Sequence, residues 1–321
     1  GYSETWAPNS SECLWPKSGI VYPNNTYNNK NVRRYGICNE LQAYPGAFTK
    51  APFKRCNGIG LFCHEFSHCI GLPDIYCTLS NSSSTNMNII KTNQTLEYWD
   101  LMDGGEYCDN GYRPCTYSSW EREALGWMNI DTRKSSQEVA LKPVQEGGTA
   151  YRIMNEKDIS GHEYYILENR QKIGWNKYDY GHGMLVYHVD YDEAAFNLNS
   201  NSVNNTYNHP RMTLIAADGQ ILNYYTIGDK NSLGVTISED MYLMDMGGDP
   251  FPGTSNNRYL TDTSKVAPVV YTGTYMDKSI IEINEDTLGT DTYATIRFNF
   301  LDNTSGINSP IIEKGGEISN R

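Results

Sequence analysis

His64-Glu65-Phe66-Ser67-His68, followed in step by Gly71, Pro73 and Asp74, constrains this chain more than any other stretch. On a helix the two histidines sit one turn apart on the same face, so both imidazoles can reach a single metal ion. Glu65 is rotated off that face but stays close enough to take a proton from a water at the metal. Two nitrogen ligands, an open position and a carboxylate base are what a zinc hydrolase requires. The run from Ile59 to Cys63 is apolar and is expected to bury the other side of the helix. Gly71 is placed to end the helix in a left-handed conformation, and Pro73 forbids its continuation. The chain then turns back, with Asp74 as the candidate third ligand.

Two histidines one turn apart can also be a plain polar helix face. With only six histidines in 321 residues, an accidental pair is uncommon. Gly71 and Asp74 fall at the offsets of the extended metzincin motif, to which this segment is similar. Downstream, Trp99-Asp100-Leu101-Met102-Asp103-Gly104-Gly105 has the chemistry of a tight turn. A methionine beside a leucine is ordinarily core packing. Placed after this helix, Met102 resembles the methionine that floors a metzincin zinc site. Glu121 or Glu123 on the next helix is the rival to Asp74 for the third ligand. Tyr76 and Tyr107 are candidate oxyanion donors, though tyrosines are so frequent here that a structural role suits each better.

The chain resembles the immune inhibitor A family of secreted bacterial metallopeptidases. His64 to Tyr76 looks like that family's active-site helix and its exit, and Trp99 to Met102 looks like its Trp-x-Leu-Met turn. Ser119 to Trp127 looks like the following helix, ending in Leu-Gly-Trp. Tyr164 to Arg170 and Gly183 to Asp190 resemble two strands of the next domain, and Asp249 to Gly253 a later loop. The resemblance runs from about residue 14 to 270. It implies a secreted zinc endopeptidase, with Glu65 as catalytic base, His64, His68 and Asp74 on the metal, and Gly71 and Met102 supporting them. The segment before His64 is short for this family, so the catalytic unit is expected to lack its N-terminal part.

A net charge of −12 and a pI near 5.0 argue against a nucleic-acid partner. No apolar run reaches membrane-spanning length. Eight cysteines suggest an oxidising compartment. Cys63 and Cys69 lie about 9 Å apart along one helix and cannot bond each other. Cys108 and Cys115 flank a stretch rich in turn signals, where a local disulfide is plausible; buried free thiols are the alternative. The Asn-x-Ser/Thr triplets at Asn24, Asn81, Asn93, Asn204 and Asn303 are expected by chance in so asparagine-rich a chain.

The organisation reads as α+β: a metzincin-like zinc peptidase unit over 1–132, an antiparallel β-sandwich over 137–301, and a polar tail or linker over 302–321. Helices are expected at about 57–70 and 116–126, and a cleft-lining strand over 37–44. Residues 78–95 lack periodicity and read as a long surface loop. Beyond residue 137, short alternating runs such as 150–154, 164–167, 184–189, 280–283 and 294–298 read as strands. His162, His182, His188 and His209 fall in this region without metal-site spacing. Asp245-Met-Gly-Gly-Asp249 places carboxylates around a flexible turn that calcium would suit, although it matches no standard calcium loop. The leading function is hydrolysis of protein or peptide substrates outside the cell or at its surface. The alternative is a non-catalytic binding or adhesion protein on a degenerate peptidase scaffold.

Overall fold

The computed structural model describes residues 15–22, 26–40, 56–93, 95–220 and 222–303, with the backbone of 311–312 and 318–319. Mixed α and β elements form several sheets. Strands β1 (Lys17–Ile20) and β2 (Arg34–Ile37) pair antiparallel as a ribbon that packs on helix α1 (Ile59–Ile70). The strand expected over 37–44 therefore ends where it was to begin, and residues 41–44 lie outside the described residues.

Helix α1 ends as its sequence dictates. Gly71 takes φ 116°. Its N–H bonds to the His68 carbonyl at 3.1 Å, and the Leu72 N–H reaches back to the Ser67 carbonyl at 3.1 Å. This double closure needs a left-handed residue, and glycine supplies it without steric cost. Which face is buried corrects the sequence expectation. Gly60, His64, Glu65, Ser67 and His68 face inward, whereas Ile59, Phe62 and Phe66 are about half exposed. Phe62 and Phe66 stack on each other. The inward face is set by close backbone approach: a Cβ on Gly60 would lie 1.9 Å from the Glu106 carbonyl oxygen.

A second helix, α2 (Ser84–Thr92), replaces half of the surface loop expected over 78–95. The Ser83 side chain caps it by accepting the Asn86 N–H, and Ile90 is its one buried residue. Helix α3 (Ser119–Ala124) is shorter than expected and begins with a capping box between Ser118 and Glu121.

Among the described residues, eight strands follow in the body of the chain: β3 (Asp131–Thr132), β4 (Gln137–Leu141), β5 (Tyr151–Met154), β6 (Glu163–Arg170), β7 (Gly183–Asp190), β8 (Met212–Leu214), β9 (Lys278–Thr287) and β10 (Ala294–Asp302). They form a five-stranded sheet, β3-β5-β6-β7-β8, and a three-stranded sheet, β4-β10-β9. All pairings are antiparallel except β3 with β5, which is parallel.

Strands β6 and β7 are buried on both faces, and the period of two divides their side chains between two cores. Tyr165, Leu167, Met184 and Val186 join Val139, Ile283, Ile296 and Phe298 beneath the three-stranded sheet. Tyr164, Ile166, Leu185, Tyr187 and Val189 pack on the opposite side against Leu72, Ile75, Trp99, Met102 and Trp120. The segment around the histidine helix thus shares one apolar core with the large sheet.

The described cysteines, Cys38, Cys56, Cys63, Cys69, Cys77, Cys108 and Cys115, are free thiols. This corrects the disulfide expected between Cys108 and Cys115. The turn between them is real, with Asp109 and Asn110 at positive φ. Both sulfurs are buried with Leu101 and pack as small apolar groups. No helix among the described residues is long and apolar enough to cross a membrane.

Candidate metal centre

The helical spacing brings the His64 and His68 rings to 4.9 Å between centroids, nearly perpendicular. Their outer nitrogens are tied down from behind. Nδ1 of His64 lies 2.9 Å from the Leu101 carbonyl oxygen, and Nδ1 of His68 lies 2.8 Å from that of Leu72. A carbonyl only accepts, so each Nδ1 carries the proton and each Nε2 keeps its lone pair. Asp74, returned by the Gly71–Pro73 exit, meets both lone pairs. Its Oδ1 lies 3.1 Å from His64 Nε2 and 3.2 Å from His68 Nε2.

Three acceptor atoms therefore converge in a buried place, and beyond the two histidines Asp74 Oδ1 has no hydrogen-bond partner. Such a convergence is costly unless a cation or a proton sits among the three. Two imidazole nitrogens and one carboxylate oxygen form the donor set of a tetrahedral zinc site with one position open. Among the described residues this is the sole group of three or more metal-ligating side chains that converge. Asp249 of the 245–249 turn is engaged otherwise, accepting the Trp99 indole N–H at 2.8 Å.

The charges follow from this geometry. Without a metal, burial alone would push the His64 pKa down, but Glu106 and Asp74 beside it raise it to about 10, so a proton then fills the place a cation would take. Burial opposes the charge on Asp74, yet hydrogen bonds and attraction from the two histidines hold its carboxyl well below the usual range. Glu65 is buried, with its pKa raised first by desolvation and opposed by the two histidines and by the Ser18 hydroxyl of β1. Tyr76 stacks over His64 at 6.3 Å and hydrogen-bonds to Asp74. Tyr107 instead hydrogen-bonds to Glu106.

Met102 is fully buried in the core that holds Leu72 and Ile75. Its N–H donates to Asp100 Oδ1 at 2.7 Å, and its carbonyl accepts the Ile75 N–H at 2.8 Å. The turn at Met102 is thereby pinned to the residue after Asp74. Glu121 and Glu123 are occupied elsewhere. Glu121 Oε2 accepts the Ser118 N–H at 2.6 Å, while Glu123 accepts from Ile130 and pairs with Arg152.

Sequence reasoning missed several residues that hold this site. Asn201 bonds to Asp74 from a loop far downstream, Ser18 reaches Glu65, and Glu106 lies 3.6 Å from His64 Nδ1. Nothing local marks Asn201 among its many neighbouring asparagines. The carbonyls of Leu72 and Leu101 carry no side-chain signal at all.

Comparison with known proteins fits this geometry. Residues 11–129 match the family model of the immune inhibitor A peptidase M6 catalytic domain. The pre-pro-metalloprotease PrtV of Vibrio cholerae serotype O1, in strains M66-2 and ATCC 39315 / El Tor Inaba N16961, is 29% identical over 92 residues. That alignment covers 26% of this chain and 9% of the relative's own length. No solved structure matches the chain.

Proposed function

From the premise that residues 11–129 belong to the immune inhibitor A peptidase family, we propose that the protein is a zinc-dependent endopeptidase. Its metal ligands are His64, His68 and Asp74, and its general base is Glu65. The observation that carries this reading is the convergence of both Nε2 atoms on Asp74 Oδ1, which has no hydrogen-bond partner besides them. Zinc, when bound there, supplies Lewis acidity for the scissile carbonyl and the attacking water.

The remaining chemistry belongs to the chain's own groups. Glu65 accepts the proton of the attacking water and returns it to the leaving amine. Its burial raises its pKa, which suits a group that must both take and give a proton. Ser18 orients the carboxylate, and the ribbon lying on α1 is our candidate for the strand beside which a substrate lies extended. The Leu72 and Leu101 carbonyls keep the histidines in the tautomer that leaves Nε2 free.

The metzincin-like unit over 1–132 and the sandwich over 137–301 belong to the same reading. The shared core between the three- and five-stranded sheets supports the latter. Protein or peptide substrates follow from the family. The relative's description as a pre-pro-metalloprotease supports a secreted location.

The test is a zinc assay with casein cleavage on the full chain and on Glu65→Gln. The reading expects about one zinc in each, cleavage by the parent that stops on chelation, and a rate in Glu65→Gln lower by roughly 10²- to 10⁴-fold. A non-catalytic binding protein on this scaffold would hold zinc and leave casein intact in both. Parental activity in Glu65→Gln would remove Glu65 from the role.

A further inference from the structure

The loop over 197–209 is strapped, rung by rung, to the segment that carries Asp74. In the first rung Asn201 Oδ1 accepts the Asp74 N–H at 2.7 Å, and Asn201 Nδ2 donates to Asp74 Oδ2 at 2.5 Å. In the second, Asn204 Nδ2 donates to the Ile75 carbonyl at 2.5 Å, while its Oδ1 accepts the Met212 N–H at 3.0 Å. In the third, Asn205 Oδ1 accepts the Thr78 N–H at 2.9 Å, and the Thr78 hydroxyl donates to the Asn201 carbonyl at 2.6 Å.

The first rung divides the work of the Asp74 carboxylate. Oδ2 is committed to Asn201, so Oδ1 is the oxygen left to face His64 and His68. Because Asn201 also holds the Asp74 backbone, it fixes both the position of the Cα and the rotation of the carboxylate. Asn201 has φ 46°, a left-handed conformation that asparagine tolerates better than most residues. It lies 127 positions beyond Asp74 and outside the family match.

We propose that Asn201 is the positioning residue of the third metal ligand, so that the part of the chain beyond residue 129 completes the metal centre. The proposal rests on the zinc reading above. A carboxylate held by a second group offers its free oxygen to the metal without first being ordered. Removing such an outer partner typically lowers metal affinity about 10- to 100-fold.

The experiment uses the full chain and compares Asn201→Gly, Asn201→Asp and Asn205→Ala. Glycine keeps the left-handed backbone and deletes the amide. Aspartate keeps shape and backbone tolerance but loses the Nδ2 donor. Asn205→Ala removes the bonds between Asn205 and Thr78, leaves the Thr78 hydroxyl on the Asn201 carbonyl, and does not touch Asp74. Zinc affinity is measured by competition with a chelator, folding by melting of the zinc-free protein, and ligand geometry by visible absorption after Co²⁺ replaces zinc. We expect Asn201→Gly to bind zinc about 10- to 100-fold more weakly, with a zinc-free melting point no lower than that of Asn205→Ala. Both Asn201 variants should alter the Co²⁺ spectrum, and Asn205→Ala should leave it unchanged. Asn201→Gly binding within about threefold of the parent with an unchanged spectrum overturns the proposal. So does an equal loss in Asn205→Ala. If His68→Ala and Asp74→Ala also bind zinc as the parent does, it is the zinc reading itself that falls.

Discussion

Replacing Asp74 by asparagine separates the metal role of this side chain from its structural role. In the zinc-free protein, an amide at this position can turn its oxygen to Asn201 and its NH₂ toward the two Nε2 lone pairs now facing Asp74 Oδ1. The new NH₂ can serve these nitrogens, but the attraction between the Asp74 carboxylate and the histidines is lost, so zinc-free Asp74→Asn should be no more stable than the parent, and the zinc increment of each protein is read against its own zinc-free form. Zinc binding should suffer. Four-ligand zinc sites contribute roughly 10–16 kcal/mol, so one ligand corresponds to about 2.5–4 kcal/mol, or ~10²- to 10³-fold in Kd. At free zinc 100-fold above the parental Kd, binding stabilises the parent by about 2.7 kcal/mol; a 100-fold weaker variant keeps only about 0.4 kcal/mol. Urea unfolding in zinc buffered by a chelator reads that difference directly. Glu123→Gln is the control for the rival ligand and should keep the full zinc increment, since Glu123 is spent on Ile130 and Arg152. Undiminished zinc stabilisation of Asp74→Asn, or its loss in Glu123→Gln, would refute the assignment.

Met102→Ala removes a fully buried side chain from the core beneath the site and should cost about 2–5 kcal/mol in urea unfolding; a negligible cost would show that Met102 is not packed as described. Gly60→Ala should destabilise by about 1–3 kcal/mol, because its Cβ would lie 1.9 Å from the Glu106 carbonyl oxygen; a fully stable variant would contradict that close approach. Burial opposes the charge of Glu163, but His188 and the Tyr271 and Thr272 N–H groups hold its pKa down at about 2, against an ordinary value of 4.5. A depressed carboxyl stabilises the fold above its unfolded pKa and loses that contribution as pH falls toward its folded one. The stability gap between the parent and Glu163→Gln, measured with chelator present, should therefore shrink between pH 4.5 and about 2; a gap that stays constant across that window would contradict the account.

What was legible in the sequence was local. The histidine spacing, the glycine exit and the turn at Met102 are encoded within a few residues, and the helix ends at Ile70 as Gly71 and Pro73 dictate. Strands β6 and β7 were visible for the same reason, as runs whose alternate side chains both find cores. Where the reading failed, the deciding contact is distant. Apolarity at Ile59 and Phe62 does not say which face of α1 is covered; that is settled by the approach of Gly60 to Glu106. Helix α2 buries only Ile90 and owes its start to the Ser83 cap, so hydrophobic period gave no warning of it. Two cysteines across a turn look alike in sequence whether bridged or packed as thiols. The parallel pairing of β3 with β5 and the Asn201 rung depend on residues far apart in the chain and have no local signature.

The central claim is that one zinc ion lies among His64, His68 and Asp74. Anomalous X-ray diffraction at the zinc edge, from crystals of the zinc-loaded full chain, tests it most directly. The account predicts one strong peak about 2.0–2.2 Å from Nε2 of His64, Nε2 of His68 and a carboxylate oxygen of Asp74. A peak that leaves Asp74 beyond about 4 Å, far outside carboxylate coordination, or no peak at this site, would contradict it.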